Sequence, residues 1–411
     1  MVRPERRTTG DLVAAALIAV TVIVAGVIIF WTSDARATVI RSAEDSATNP
    51  PSAAMVPATL TQLWTAKSPA TTEPIVVSGT VITGAGAQMS GRDPVSGEQR
   101  WSYARGVDLC AVSWIYRYAV AVYPDARGCG QVSAITAATG RRGPTRTGYA
   151  DRHVTVTSEG NAVLSVGRSR LELWRSDLVR VLSYGEIDAR VKPSAHGPGQ
   201  GCTLISAAGA SSAVSVLESC AGQPDVQLTL LRAGKDEDEP QTQHVTESGV
   251  TADSGARVLA VTDSDSGTNT AVYLPTPQPR VDVVDQTGTT VASTLLPVRP
   301  TPASAAVGVS RPSGLISWWT GQAVLVFDAG SLTYRYTIPA AGGVAPLGPA
   351  ALMADRLLVP LTGGLGIYDR ATGVRERVIP ISRPAEVSAV FPAVSGPTVL
   401  EQRGDTLVAL G

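Results

Sequence analysis

Apolar and polar residues alternate in short runs along most of the chain, and glycines separate the runs. Residues 74–103 show the pattern most clearly. Two apolar runs end at Gly79 and Gly84, a third ends at Asp93, and the next carries Trp101. Alternation bounded by glycine turns is typical of half-buried antiparallel strands. This stretch therefore predicts a small antiparallel sheet of four strands.

The same pattern recurs along the chain. Its equivalent turn positions are Asp93, Thr136, Arg175, Arg232, Asp285, Asp328, Asp369 and Gly411. Successive positions are 43, 39, 57, 53, 43, 41 and 42 residues apart. A period of roughly 40–50 residues with four strands per unit is the signature of a β-propeller. We therefore predict an all-β fold with eight, alternatively seven, four-stranded antiparallel blades.

Two long intervals between repeats contain polar insertions, residues 234–243 and residues 263–269. The first holds the acidic run Asp-Glu-Asp-Glu, which predicts a solvated insertion, with a basic partner as the alternative. The second resembles a calcium loop in its alternating oxygen ligands, but Leu274 stands where the bidentate glutamate belongs. We therefore predict an ordinary polar loop there.

The two ends of the repeat region complement each other. The last repeat, residues 398–410, stops before the outgoing strand of the other repeats. Residues 60–66 match that missing strand, because they carry a central tryptophan as residues 98–103 do. An N-terminal strand that completes the last blade removes an open sheet edge. We therefore expect a propeller over residues 60–411 that residues 60–66 close.

An uncharged apolar segment, residues 12–31, precedes the repeats. Its length suits one transmembrane helix, with Trp31 at the far interface. Arginines among residues 1–11 predict a cytoplasmic N-terminus, so that the propeller is extracytoplasmic in the cell membrane. A cleaved signal peptide is the alternative, because Ala-Arg-Ala at 35–37 fits a cleavage site. Residues 32–59 are rich in Ala, Ser, Pro and Thr and predict a flexible tether, or alternatively a short helical stalk.

Four cysteines form two close pairs in the sequence, Cys110 with Cys129 and Cys202 with Cys220. Outside the cytoplasm such pairs are expected to be oxidised. We therefore predict two disulfides, each closing a local loop worth about 3 kcal/mol in the loop-entropy model. A metal site would require closer spacing and nearby histidines.

Composition and motifs exclude several classes of function. A net charge of −1 lacks the excess of positive charge found in nucleic-acid-binding proteins. His153, His196 and His244 lie far apart in the sequence, and no zinc, nucleophile-elbow or P-loop motif occurs. We therefore predict no catalytic residue, no metal site and no cofactor. The Ala-, Val- and Arg-rich, Lys-poor composition indicates a bacterium with GC-rich DNA, such as an actinobacterium.

The repeats, best at residues 75–101 and 352–378, resemble those of the quinoprotein-dehydrogenase-like propellers. That superfamily contains quinone-dependent dehydrogenases and cofactor-free scaffolds of the bacterial envelope. The enzymes use two adjacent cysteines, a tryptophan floor and a carboxylate-bound calcium, and this sequence lacks the adjacent cysteines. The resemblance therefore implies a non-catalytic scaffold with an envelope protein as its partner. A propeller that binds a cell-wall glycan or small ligand, and a degenerate quinone-dependent dehydrogenase, are the alternatives.

Trp318 and Trp319 are the aromatic residues that most suggest an interaction site. Adjacent strand residues point to opposite faces, so we expect one indole to be buried. The other would meet solvent, the channel or a neighbouring blade. Packing between blades and an interaction hot spot are both open, because large aromatic residues serve both purposes. The sequence leaves the partner, the ligand and the oligomeric state undetermined.

Overall fold

Eight antiparallel sheets surround a central channel, which confirms the predicted eight-bladed all-β propeller. The structure is a computed structural model that describes residues 8–187, 199–264, 267–297, 299–301 and 308–411. His196 therefore lies outside the described residues. The same holds for Asp265 and Ser266 of the second insertion.

An apolar helix, α1 (Thr9–Thr32), precedes the propeller, and a single turn, α2 (Asp34–Ala37), follows it. Thr8 and Asp11 form a capping box at the start of α1, which satisfies two free backbone N–H groups. The helix is long and apolar enough to cross a membrane, and its apolar side chains are exposed. A membrane-spanning helix and a signal sequence both fit these properties.

Each blade is a four-stranded meander that runs from the channel to the rim. Two strands precede blade 1 in the chain, β1 (Val39–Arg41) and β2 (Gln62–Lys67). Blade 1 contains β3 (Ile75–Val77), β4 (Thr80–Ala85), β5 (Gln88–Arg92) and β6 (Gln99–Ala104), and blade 2 contains β7 (Ala111–Ile115), β8 (Tyr118–Asp125), β9 (Gly128–Thr136) and β10 (Arg142–Thr147). Blade 3 contains β11 (Thr155–Ser158), β12 (Ala162–Val166), β13 (Arg170–Arg175) and β14 (Arg180–Gly185), and blade 4 contains β15 (Cys202–Gly209), β16 (Ala213–Cys220), β17 (Gln227–Arg232) and β18 (Gln241–Thr246).

Blades 5 to 8 continue the same order. Blade 5 contains β19 (Arg257–Ser264), β20 (Gly267–Leu274), β21 (Arg280–Asp285) and β22 (Thr290–Leu295), and blade 6 contains β23 (Val309–Ser310), β24 (Leu315–Trp319), β25 (Ala323–Asp328) and β26 (Tyr334–Pro339). Blade 7 contains β27 (Ala351–Met353), β28 (Arg356–Leu361), β29 (Gly364–Asp369) and β30 (Arg375–Pro380), and blade 8 contains β31 (Phe391–Ser395), β32 (Thr398–Arg403) and β33 (Thr406–Leu410). The rim strand of blade 8 is β2, which pairs antiparallel with β33.

The buried side chains form one apolar core between each pair of neighbouring blades. Between blades 1 and 2, for example, Trp101 and Tyr103 pack with Tyr123 and Ile135. Val81 of blade 1 packs with Leu400 of blade 8 and its neighbours, so the same kind of core closes the ring. Both faces of a blade are therefore buried, as stacked sheets around a closed axis require.

The sequence repeat arises from a contact between one blade's rim strand and the next blade's turn. The indole Nε1 of Trp101 donates a 2.7 Å hydrogen bond to the backbone carbonyl of Ala137, just after the repeat position of blade 2. A Cβ at Gly140 would lie 2.4 Å from Trp101 Cβ, and the φ of Gly140 is +69°, so glycine is required there. The same arrangement joins Trp64 to Gly97 and Tyr336 to Gly373.

The repeated aspartate closes the turn that receives this aromatic side chain. Oδ1 of Asp369 accepts hydrogen bonds from the backbone N–H groups of Ala371 and Thr372, at 3.1 and 2.9 Å. It also accepts one from the Thr372 hydroxyl, which is the main reason that the pKa of Asp369 lies below its usual value. Equivalent turns occur at Asp93, Asp285 and Asp328.

The segment between α2 and β2 lies on the propeller, which corrects the predicted flexible tether at residues 32–59. Strand β1 pairs with β6 at the rim of blade 1. The backbone N–H groups of Ala43 and Ala47 then donate to blade 2 carbonyls, both at 2.9 Å. Further along, Arg377 of blade 7 donates to the carbonyl of Val56 at 2.9 Å. We call residues 42–60 the N-terminal strap, because they cross blades 2, 1, 8 and 7.

The two polar insertions are also attached to the propeller. In the acidic run, Glu237 accepts a 2.8 Å hydrogen bond from Arg180 of blade 3, and Asp238 is 4% exposed. The run therefore docks on a neighbouring blade, and a freely solvated insertion is wrong for these two residues. In the second insertion, strands β19 and β20 form a hairpin, and the Asp263 carboxylate accepts hydrogen bonds from Ser212.

Candidate functional site

The four cysteines form the two disulfides predicted from their spacing. Cys110 joins Cys129, and Cys202 joins Cys220 across the paired strands β15 and β16. The Glu218 carboxylate lies within 4.8 Å of the sulfur atoms of Cys202 and Cys220. Because both sulfurs belong to a disulfide, they offer no thiolate to a metal ion. The arrangement is therefore a structural crosslink beside a buried acid.

Trp318 and Trp319 are both buried, at 1% and 6% exposure. Trp318 packs toward blade 5, where its ring centroid lies 5.2 Å from that of Tyr273. Trp319 packs toward blade 7, and its Nε1 donates a 2.9 Å hydrogen bond to the carbonyl of Pro346. The two indoles thus point to opposite faces as expected, but each face is covered by a neighbouring blade. This burial favours blade packing over an interaction hot spot.

The two described histidines lie at the surface in different parts of the ring. His153 is exposed between blades 2 and 3, and His244 is exposed on β18. Nδ1 of His244 lies 2.9 Å from the Thr229 hydroxyl, which also donates to the buried carboxylate of Glu218. The phenol of Tyr184 donates to the same carboxylate at 2.7 Å. Its neighbours thus hold Glu218 in place inside blade 4.

The central channel contains a cavity of about 710 Å³. The first strands of all eight blades contribute to its wall, which contains both apolar and polar side chains. A cavity of this size falls in the range of small-molecule sites, roughly 300–1,000 Å³. Four charged side chains from four blades line it, namely Glu73, Glu159, Arg257 and Arg311.

Three of the channel charges act on one another. Burial raises the pKa of the Glu73 carboxyl to about 7, although the positive charge of Arg311 opposes the rise. Burial also lowers the pKa of Arg311, and the carboxylates of Glu159 and Glu73 partly offset this effect. At neutral pH the Glu73 carboxyl is therefore about half ionised. Arg311 therefore interacts with both channel carboxyl groups.

The fourth channel charge, Arg257, stands apart from the carboxylates. It begins β19, and its Nε is buried without a hydrogen-bond acceptor among the described residues. One Nη2 hydrogen bond reaches the carbonyl of Gly255 at 3.3 Å. Burial lowers the pKa of Arg257 to about 10, and no carboxylate contributes to this value.

A second candidate site lies on the surface of blade 2. Tyr116 and Arg117 form the turn between β7 and β8, and both are exposed. Tyr116 is 66% exposed and has a φ of +54°, an uncommon conformation for a residue other than glycine. Arg141 precedes β10 and Arg142 begins that strand, and both are exposed. We call these residues, together with Tyr118, the blade 2 patch.

Hydrogen bonds hold the two turns of the blade 2 patch side by side. The N–H of Ala137 donates to the carbonyl of Arg117 at 3.0 Å, and the N–H of Tyr116 donates to the carbonyl of Gly160 at 2.8 Å. The guanidinium of Arg117 donates to the Tyr118 phenol at 3.1 Å. In the described part of the chain, no carboxylate forms an ion pair with Arg117, Arg141 or Arg142. The patch therefore offers aromatic surface and unneutralised positive charge.

Sequence reasoning missed both sites. The channel charges come from four separate repeats, and no local motif marks them. The sequence contains a weak indication of the blade 2 patch. The turn between the first two strands of blade 2 has Tyr-Arg-Tyr, where blade 1 has the small residues Ser78 and Gly79. The Arg-Arg pair after Gly140 was a second such signal.

Comparison with known proteins identifies the fold and no family. No protein-family model matches the chain, and no curated protein sequence matches it. Among solved structures, the computationally designed protein Ika8 is similar with a TM-score of 0.52, at 12% identity over 89% of this chain and 99% of that chain. Sqt1 of Saccharomyces cerevisiae is similar with a TM-score of 0.50, at 10% identity over 89% and 98%. BamB of Moraxella catarrhalis has a TM-score of 0.46, at 15% identity over 86% and 98%.

These likenesses place the chain among propellers of known structure. At such identities the comparison establishes the fold alone, because one propeller architecture serves many unrelated functions. The function must therefore be argued from the residues of this chain.

Proposed function

We propose that the protein is a membrane-anchored scaffold of the cell envelope, whose extracytoplasmic propeller binds another protein without catalysis. The observation that carries this proposal is the blade 2 patch. Tyrosine and arginine are enriched among residues that dominate protein–protein binding energies. Tyr116 lies in a tight turn and is 66% exposed, so its ring is available to a partner.

The location follows from features at the start of the chain. Helix α1 suits a membrane span, and the arginines before it favour a cytoplasmic N-terminus. Two disulfides favour an oxidising compartment for the propeller. Residues 33–38 alone separate α1 from β1, and six residues reach at most about 20 Å. The propeller would therefore sit close to the membrane, where a scaffold meets other membrane-bound proteins.

The charges of the blade 2 patch define its partner. Three arginines without ion-pair partners among the described residues attract an acidic surface. The exposed ring of Tyr116 and the half-buried ring of Tyr118 supply rigid contact area. The resemblance of the repeats to cofactor-free scaffold propellers agrees with this function. We infer an envelope protein with an acidic patch that surrounds apolar side chains.

Chemical crosslinking in intact envelopes tests the proposal. The bait is the full-length chain, compared with an Arg117→Glu, Arg142→Glu variant. Reversing two charges should abolish recovery of the specific partner, because the acidic surface would be repelled. An Arg152→Glu, Arg375→Glu variant is the matched control, since both arginines are exposed elsewhere on the ring. The control should recover the partner as the unaltered chain does.

Melting temperatures of both variants should equal that of the unaltered chain, because all four side chains are exposed. Recovery of the partner by the blade 2 variant would refute the patch as the binding surface. Absence of any specific partner with the unaltered chain would refute the scaffold function itself.

A further inference from the structure

The channel cavity is lined by charged and apolar side chains that play no part in the proposed protein binding. Its wall mixes polar side chains with apolar ones, and the apolar part includes Ile205, Val258, Leu352 and Val394. It contains two arginines and two glutamates, so its formal charge is balanced. The distribution of these charges is nevertheless uneven. The carboxyl groups of Glu73 and Glu159 partly offset the effect of burial on the pKa of Arg311, whereas burial lowers the pKa of Arg257 without an offsetting carboxyl group.

Among the described residues, Arg257 therefore carries a partly desolvated positive charge without a counterion. Its buried Nε has no acceptor there, and its hydrogen bond to Gly255 is long, at 3.3 Å. Removing a charge from water is costly unless an opposite charge and hydrogen bonds replace the solvent. A carboxylate supplies both, since it accepts two hydrogen bonds from a guanidinium in a planar geometry.

The remaining wall limits what such an anion can carry. Apolar side chains around the cavity favour an aliphatic body. Glu159 and the partly ionised Glu73 disfavour a second negative charge on the same molecule. A ligand with two or more negative charges would be repelled by these carboxylates, and this repulsion would offset its attraction to Arg257.

We propose that the channel is a binding site for a small aliphatic monocarboxylate, whose carboxylate pairs with Arg257 and whose hydrocarbon chain lies along the apolar wall. This site is distinct from the blade 2 patch. It requires neither a protein partner nor the patch residues. Protein crosslinking and ligand binding therefore test the two proposals separately.

Isothermal titration calorimetry of the full-length protein in lipid nanodiscs tests the site, with empty nanodiscs as the blank. The probes are octanoate, hexanoate, octanamide and octanedioate. Octanoate should bind with one-to-one stoichiometry and roughly tenfold more tightly than hexanoate, because two further methylenes are buried. Octanamide keeps the shape but lacks the charge, and octanedioate adds a second charge. Both should bind at least about tenfold more weakly than octanoate.

An Arg257→Gln variant identifies the residue that recognises the anion. It should lower octanoate affinity at least about tenfold and leave octanamide affinity unchanged. An Arg375→Gln variant is the control, because Arg375 is exposed on the rim strand β30 and remote from the channel. It should bind octanoate as the unaltered chain does. The melting temperature of each variant shows whether the fold is retained.

Three results would overturn the proposal. The first is equal affinity of the unaltered chain for octanoate and octanamide, because the charge would then be irrelevant. The second is an Arg257→Gln variant that retains its melting temperature and its octanoate affinity. The third is octanedioate binding as tightly as octanoate, since the channel carboxylates would then not select a monoanion. Absence of saturable octanoate binding at millimolar concentration would refute the site altogether.

Discussion

Arg383 and Glu401 form a buried bidentate ion pair that ties blade 7 to blade 8. Nη2 lies 2.6 Å from Oε1, and Nε lies 2.9 Å from Oε2. The two side chains are 5% and 0% exposed. Arg383 also donates to the backbone carbonyls of Leu361 and Gly364, and Arg403 donates to the same carboxylate at 2.8 Å. One carboxylate thus serves two buried guanidinium groups.

Replacing this carboxylate should destabilise the propeller strongly. Glu401→Gln leaves two buried positive charges without a counterion, and such losses cost about 3–5 kcal/mol. Urea unfolding gives the change in the free energy of unfolding. Glu376→Gln is the control, because Glu376 pairs with Arg356 at 2.6 Å with both side chains more than one-third exposed. The control should cost less than about 1 kcal/mol. Equal losses in both variants would contradict the importance of burial.

The raised pKa of Glu73 predicts a pH dependence of stability. The carboxyl has a pKa of about 7 in the folded chain and 4.5 as its ordinary value, so the folded state holds a proton that the unfolded state releases between these values. The free energy of unfolding should therefore fall as pH rises from 4.5 to 7. After allowance for partial exposure, the loss is about 2 kcal/mol.

Glu73→Gln should remove this contribution, because the amide does not ionise. The variant should match the unaltered chain near pH 4 and exceed its free energy of unfolding by about 2 kcal/mol at pH 8. Urea unfolding of both chains at four pH values measures the difference. A difference that stays constant from pH 5 to pH 8 would show that Glu73 is not the titrating group.

Contact between the N-terminal strap and blade 1 can be tested at Gly79. Its φ is +73°, and an added Cβ would lie 2.1 Å from the carbonyl oxygen of Thr48 in the strap. Gly363 is a matched control, since its φ is +82° and an added Cβ would meet nothing within 4 Å. Gly363→Ala should cost about 1 kcal/mol from backbone strain alone.

Gly79→Ala should cost about 2–3 kcal/mol, because the strap must also move. Limited proteolysis under native conditions should then cut residues 42–60 faster in Gly79→Ala than in Gly363→Ala. Equal proteolysis rates in the two variants would argue against a docked strap.

Packing by Trp319 gives a further prediction. Trp319→Phe keeps an aromatic ring but leaves the buried carbonyl of Pro346 without its donor. The loss should be about 1–3 kcal/mol in the free energy of unfolding. Partner recovery in the envelope crosslinking experiment should not change, because the indole is buried. A variant that loses the partner while keeping its stability would restore the hot-spot interpretation.

The blades were predictable because the signals that define them are local. Asp369 bonds to residues two and three places later, and Gly140 is required by its own φ and by one indole. The same aspartate turn recurs at Asp93, Asp285 and Asp328, whereas the repeat positions Arg175 and Arg232 lack the aspartate. Eight blades could therefore be counted from sequence alone.

Features that depend on contacts between blades were not predictable in the same way. The strap binds through backbone groups, which any sequence of suitable length offers, so its Ala-, Ser- and Pro-rich composition indicated a free tether. Trp318 and Trp319 are both buried because each face of β24 meets another blade, whereas strand alternation assumes one solvated face. Arg257 and Glu73 share a cavity across distant repeats, so no spacing rule brings them together.

Pairing of β2 with β33 sets the order in which the protein can assemble during its synthesis. Lys67 and Thr406, which pair in this ladder, are 339 residues apart. At about 5–20 residues per second, the ribosome needs roughly 20–70 s to make the chain between them. During that interval β2 has no partner, and its exposed edge is open to association with other chains. Closure of the ring therefore has to wait until the last strand of blade 8 has been made.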